Sequence, residues 1–158
     1  MLDFKIEYPK NLQNEFLLKL KKFILLGKNV HERGLKGRLV ASHRIAYCTD
    51  DDELVGICCI KNPNKSYLSK IEKNYTYSFS NKVVEIGYSF VLNSHRGKGI
   101  NSKLKDMLLE KIDETIFCTT SNPISAGSLL RPRFVQIGNP VDGVYSKKIS
   151  LYIKQQSK

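Results

Sequence analysis

No apolar run in the sequence approaches the roughly 18–20 residues that a helix needs to span a bilayer. Cysteine is scarce, four in 158 residues, and none of Cys48, Cys58, Cys59 and Cys118 has the Cys-x-x-Cys spacing of a zinc site. All four sit in apolar, strand-like runs, which reads as reduced core thiols and a cytoplasmic location. No low-complexity tract and no internal repeat is present. The opening residues Met1 to Glu7 alternate apolar and charged side chains, a pattern foreign to a signal peptide. Acids are outnumbered as well: 15 against 26 lysines and arginines, a formal net charge of +11 at pH 7. Such a field favours anionic partners, and nucleic acid stays open among them, although the lysines are spread along the chain. The triplet Asp50-Asp51-Asp52 lacks the glycine and distal glutamate of a calcium loop, so it reads as a solvated turn. No metal is expected.

What is present is length for one domain, residues 1–158, with 41% apolar content and mixed helical and strand periodicities. Leu2, Phe4, Ile6 and Tyr8 alternate as an opening strand ended by Pro9. Asn11 is placed to cap a helix running to about Leu26, with Leu12, Phe16, Leu20, Phe23 and Ile24 as its buried stripe and Gly27 as its stop. Asn29 to Arg38 fits a short helix or a loop. Leu39 to Thr49 and Leu54 to Lys61 form a hairpin about the acidic turn. The stretch Ser66 to Asn81 reads as a polar, aromatic-bearing insertion. A fourth strand, Val83 to Leu92, is followed by a helix from about Ile100 to Glu114 and a fifth strand, Ile116 to Thr120. That strand–helix–strand order calls for a parallel pair. A short helix limited by Pro132 follows. Two more strands, Phe134 to Ile137 and Lys147 to Ile153, flank a turn-rich segment containing Gly138 and Gly143.

The segment from Val84 to Ser102 carries the chemistry. Arg96-Gly97-Lys98-Gly99-Ile100-Asn101 links a strand to a helix N-terminus, where free backbone N–H groups hold phosphate. A dinucleotide fingerprint fails, because Ser102 stands at its third glycine, and the Walker spacing is absent. Glu85 lies on the incoming strand, and regular alternation puts Glu85, Gly87 and Ser89 on one face.

Arg96 and Gly99 have the spacing of the Arg/Gln-x-x-Gly-x-Gly/Ala coenzyme loop, with Asn101 departing at the last position. In this the sequence resembles the GNAT acyltransferase superfamily. The order of elements resembles that family over most of the chain, as do Cys118 to Asn122 and Arg133 to Gly138, with Arg133 where a glycine is usual. The resemblance implies an α/β fold with a mixed, mostly antiparallel sheet of six to seven strands, flanked by helices and splayed between strands four and five. It implies acetyl-CoA as cosubstrate, its pantetheine paired with the backbone of Phe90, Val91 and Leu92. Its pyrophosphate would lie on Arg96, Gly97, Lys98, Gly99, Ile100, Asn101 and Ser102, with Asn122 as a further contact. A primary amine, unidentified, would attack the thioester directly, and Glu85 stands where some members carry the general base. The tyrosine that often protonates the leaving thiolate is replaced by Leu129; Ser128 is the adjacent hydroxyl. Tyr145 is a candidate for the acceptor pocket. The resemblance leaves a homodimer open. Two alternatives remain at this point: a basic, toxin-like member acting on aminoacyl-tRNA, and a non-catalytic acyl-CoA-binding module.

Overall fold

The computed structural model describes residues 1–79, 82–129, 131–143 and 147–154. The described residues form seven strands and five α-helices: β1 (Leu2–Glu7), α1 (Asn14–Leu25), α2 (Leu35–Val40), β2 (Arg44–Asp50), β3 (Glu53–Lys61), α3 (Lys65–Tyr75), β4 (Val83–Val91), α4 (Ile100–Leu109), β5 (Thr115–Thr120), α5 (Pro123–Ser128), β6 (Val135–Asp142) and β7 (Lys148–Lys154). The strands are ordered β1-β2-β3-β4-β5-β7-β6. β4 pairs with β5 in parallel, registered from Val83↔Thr115 to Glu85↔Phe117, while the β1–β2, β2–β3, β5–β7 and β6–β7 pairs are antiparallel. Each strand of the parallel pair runs on beyond that register, β4 to Val91 and β5 to Thr120.

The chain divides into two compact units, and β4 passes from one to the other between Glu85 and Ile86. The first contains Met1–Asn62 and Ile86–Ile112. Its β2–β3 hairpin turns on Asp51 and Asp52, both left-handed at φ 46° and 69°, the conformation a two-residue hairpin turn needs. Aspartate tolerates it because its short side chain can bond locally. The core joins Leu17, Leu20, Phe23 and Ile24 of α1 to Leu35 and Leu39 of α2 and to Ile45, Tyr47, Leu54, Ile57 and Cys59 of the hairpin. Tyr88, Phe90 and Leu92 pack against it. Helix α4 is also part of this unit. At Gly56 a Cβ would come within 2.7 Å of the Ile100 Cγ2, so only glycine lets that helix approach.

The second unit contains Pro63–Glu85 and Asp113–Lys158. Its core is Ile71 and Tyr75 of α3, Val83 of β4, Phe117 of β5, and Leu151 and Ile153 of β7. The Tyr75 hydroxyl donates to the Ile149 carbonyl at 2.6 Å, pinning the helix to β7.

Several boundaries differ from the sequence reading. Asn11 does not cap α1. Pro9 seeds a 3₁₀ turn closed by Leu12 N–H to the Pro9 carbonyl at 3.0 Å, and the helix starts only at Asn14. Gly27 is not the left-handed stop; Lys28 takes that conformation at φ 57°. Gly27 instead leaves room for the Phe90 ring, whose Cδ2 would lie 3.0 Å from a Cβ there. Leu39 and Val40 belong to α2 rather than to β2, because Leu35 and Leu39, one turn apart, bury together.

The stretch read as an insertion is mostly helix. Asn64 caps α3 by accepting the Tyr67 N–H at 2.8 Å, and Leu68, Ile71 and Tyr75 follow at helical spacing. Ser80 and Asn81, at its end, lie outside the described residues. Helix α4 ends at Leu109 rather than near Glu114. The segment read as turn-rich lies mostly within β6, with a register shift between Ile137 and Val141 and a left-handed Gly138. Pro140 is tolerated because β6 is the last strand in the order.

Candidate active site

In the first unit the loop between β4 and α4 is held from both ends. Leu92 N–H donates to the Val55 carbonyl of β3 at 3.0 Å, and a 3₁₀ turn over Asn93–His95 follows. The His95 Nε2 lies 3.0 Å from Asp50 Oδ2, and its Nδ1 lies 2.8 Å from Ser94 Oγ. This histidine is thus a peg between the loop and the end of β2. The amino group of Met1, then the His95 ring, hold the Asp50 carboxyl down at about 2.

Beyond the peg, Gly97 and Gly99 are left-handed at φ 77° and 74°, and a Cβ at either would meet nothing within 4 Å. Glycine is therefore set here by backbone conformation, and the space above the loop is open. Gly99 is the N-cap of α4, whose first turn closes with Lys103 N–H to the Gly99 carbonyl at 3.0 Å. The N–H groups of Ile100, Asn101 and Ser102 have no carbonyl one turn earlier within the helix, and the helix dipole adds positive potential there. Ile100 offers only its backbone, since its side chain is buried. Asn101, the departure from the expected motif, lies with its Oδ1 3.2 Å from Ser89 Oγ, which also lies 3.1 Å from Cys58 Sγ. Its side chain ties the helix to β4.

Phe90, Val91 and Leu92 are not equivalent. The Phe90 ring stacks edge-on against Phe23 at 5.0 Å. The Leu92 N–H is taken by Val55. Backbone groups alternate edges along a strand, so the Val91 N–H and carbonyl point away from β3. That carbonyl accepts from Arg96 Nε at 3.2 Å. Tyr88, at φ 54°, breaks the extended geometry that alternation assumes, so a shared face for Glu85, Gly87 and Ser89 does not follow.

In the second unit Glu85 is 3% exposed and registers opposite Phe117 of β5. Tyr67 of α3 packs its ring on Phe117, centroids 6.2 Å apart. Burial first, then the Glu85 charge, push the Tyr67 phenol well above the usual tyrosine range. The packing of Tyr67 on Phe117 was invisible in the sequence; the available signal was the Asn64 cap with Tyr67, Ile71 and Tyr75 at four-residue spacing.

The Asn122 side chain accepts the Ile124 N–H at 2.9 Å, capping α5, and its own N–H donates to Thr120 Oγ1 at 3.0 Å. Ser128 Oγ donates to the Ser125 carbonyl at 2.7 Å. Leu129, where a tyrosine was looked for, is fully buried. Arg133 has φ 68°, so the backbone keeps the conformation that suits glycine although an arginine occupies it. Cys48, Cys58 and Cys59 are buried free thiols, and burial raises each of them above the ordinary thiol range. Tyr145 lies outside the described residues. Among the described residues no helix is long and apolar enough to cross a membrane.

A strand, a glycine loop and a helix N-terminus in this order are what an acyl-CoA-binding fold presents, and the comparisons agree. The model of the Acetyltransferase (GNAT) family matches residues 17–128, and the chain belongs to that family. It is an acyltransferase. No curated protein matches the chain closely enough to count as a relative. Among solved structures, Escherichia coli ElaA superposes with TM-score 0.70 at 16% identity, covering 98% of this chain and 100% of that one. An acyl-CoA N-acyltransferase from Pseudomonas aeruginosa gives 0.71 at 13%, covering 98% and 99%. Arabidopsis thaliana NAA60 in complex with acetyl-CoA gives 0.70 at 14%, covering 98% of both chains. At these identities the likeness is one of fold.

Proposed function

We propose that the chain is an N-acetyltransferase that uses acetyl-CoA to acetylate a primary amine, without a covalent enzyme intermediate. The observation that carries this reading is the loop ending in α4, where two left-handed glycines leave an open cradle over backbone donors at a helix N-terminus. Those residues fit a pyrophosphate: they supply N–H groups and no side-chain acid. Acetyl-CoA supplies the activated carbonyl that the amine attacks.

The N–H groups of Ile100, Asn101 and Ser102 would hold the phosphates, with Arg96 and Lys98 adding charge. Val91 is the residue whose backbone is aimed to pair with the pantetheine, which requires Arg96 to leave the Val91 carbonyl as it turns to phosphate. The Asn122 side chain would add a polar contact through its amide nitrogen, its oxygen being used by the cap.

An alkylamine near ~10.4 is mostly protonated at neutral pH, so a base must take a proton. Glu85 is the carboxylate proposed for this. Because it is 3% exposed, the proton reaches it through water rather than from the amine directly. Ser128 would have to leave its bond to Ser125 to protonate the thiolate. A thiolate whose acid lies near ~8.5 leaves without such help.

The test is a coupled-thiol assay with intact-mass readout, offering acetyl-CoA with polyamines, peptides, aminoglycosides and aminoacyl-tRNA in turn. Release of coenzyme A with a mass gain of one acetyl group on an amine is the expected result. Thiol release with no acylated amine in any class would overturn the reading.

A further inference from the structure

We propose that His95 is a positioning residue for the coenzyme: bonded to Asp50, it holds the loop from Arg96 to Ser102 in its binding shape while Arg96 turns to phosphate. The inference rests on the reading of that loop as the acetyl-CoA cradle and adds the side chain that keeps it assembled.

The loop needs such a tie because of what it is made of. Gly97 and Gly99 are left-handed, and a Cβ at either would meet nothing within 4 Å, so packing holds neither. Glycine loses more conformational freedom on ordering than any other residue, and a ligand that has to order such a segment binds the more weakly for it. Helix α4 fixes the far end, from Gly99 onward. At the near end the 3₁₀ turn closes on itself, with His95 N–H on the Leu92 carbonyl at 2.9 Å and Arg96 N–H on the Asn93 carbonyl at 3.3 Å. Arg96 Nε reaches back only to Val91, the last residue of β4, and under the proposed function it leaves that carbonyl. Among the described residues, the side-chain bond that joins this turn to a strand other than β4 is the one from His95 to Asp50, at the end of β2.

The direction of the bonds follows from chemistry. A carboxylate can only accept, so His95 Nε2 carries the hydrogen and donates to Asp50 Oδ2 at 3.0 Å. In the neutral ring the other nitrogen is then an acceptor, and Ser94 Oγ, 2.8 Å from Nδ1, donates to it. The ring is held at both nitrogens, directly before Arg96. Asp50 is itself anchored. It registers opposite Leu2 and Glu53 in the sheet, and its Oδ1 accepts from the Met1 amino group at 2.8 Å. Glutamine places an amide N–H at about the reach of Nε2, so it can replace the donor without the ring.

The experiment measures acetyl-CoA affinity by calorimetry for wild type, His95→Ala, His95→Gln, Asp50→Ala, the double variant of His95→Ala with Asp50→Ala, and Gly99→Glu. It adds kcat at saturating acetyl-CoA, with an amine the panel above shows to be acetylated. In His95→Ala the affinity is expected to fall about fivefold to tenfold, with kcat within about twofold of wild type. His95→Gln should recover most of the affinity. Asp50→Ala should weaken binding by a similar factor, and the double variant no further than the weaker single one, because both remove the same bond. Unchanged affinity in His95→Ala, with Gly99→Glu unable to bind, would overturn the positioning role and leave the loop reading standing. Full affinity in Gly99→Glu would overturn the loop reading and this inference with it. Equal losses in His95→Ala and His95→Gln, or additive losses in the double variant, would also overturn the positioning role. If His95→Ala does not fold, Asp50→Ala decides: affinity equal to wild type would overturn the proposal.

Discussion

The loop from Arg96 to Ser102 and the surroundings of Glu85 are built from different material. The loop is contiguous, exposed along most of its length, and works through backbone: two left-handed glycines and the first N–H groups of α4. The surroundings of Glu85 are buried and made of side chains drawn from α3, β4 and β5. A backbone site depends on conformation, so it fails when a residue cannot adopt the required φ. A side-chain site depends on pairing, so it fails when one partner is removed and the other is left in a dry interior. Under the proposed function, the difference separates substitutions expected to cost binding from those expected to cost chemistry.

The largest expected effect tests the backbone half. Gly99→Glu should lower acetyl-CoA affinity by about a hundredfold or more by calorimetry, because it combines a side chain at φ 74° with a negative charge in the cradle. Unchanged affinity would remove the loop assignment. The next effect belongs to the side-chain half. Glu85→Gln should cut kcat by about 10²–10⁴-fold while leaving acetyl-CoA affinity within about twofold. A parallel loss of binding would erase the separation between the two regions.

A third prediction concerns the position where the family often has tyrosine. Leu129 is fully buried, so Leu129→Tyr should not restore an acid. It should instead lower stability by about 1–3 kcal/mol through overpacking and a buried hydroxyl, read by denaturant unfolding. A faster enzyme of unchanged stability would contradict that placement.

The smallest effect is a pH dependence. The Tyr67 phenol is raised above its unfolded value near ~10, so the stability it contributes is fully present below that value. It is lost as pH rises through the folded value. Tyr67→Phe should therefore flatten the alkaline end of the stability curve relative to wild type, measured as melting temperature above about pH 10. A curve parallel to wild type would argue that Tyr67 meets solvent more freely than that raised value requires.

Much of this was readable in the chain, and the pattern of success follows locality. The β4–loop–α4 segment was legible because its chemistry is local: Arg96, Gly97 and Gly99 sit together and need no distant partner to form a helix N-terminus. The hairpin about Asp51 and Asp52 was legible for the same reason. The Asn11 cap was misplaced because Pro9 starts a separate turn, a competition that propensity alone does not resolve. Helix α3 was hidden by its polar outer face, while its stripe of Tyr67, Leu68, Ile71 and Tyr75 gains meaning only from the sheet it covers. Asn101 and Arg133 looked like departures from a motif. In the structure Asn101 holds Ser89, and Arg133 keeps the left-handed backbone that the usual glycine would adopt.

By itself the sequence determined the order of elements, the parallel crossover through α4 and the glycine loop at the α4 N-terminus, since each follows from periodicity, turn chemistry and helix-end geometry within a few residues. The meeting of Tyr67 and Glu85 at Phe117, one by ring contact and the other by strand register, was decided only by the tertiary structure. Strand register and helix docking bring together residues far apart in the chain, and the Glu85 carboxylate is buried only once they have done so.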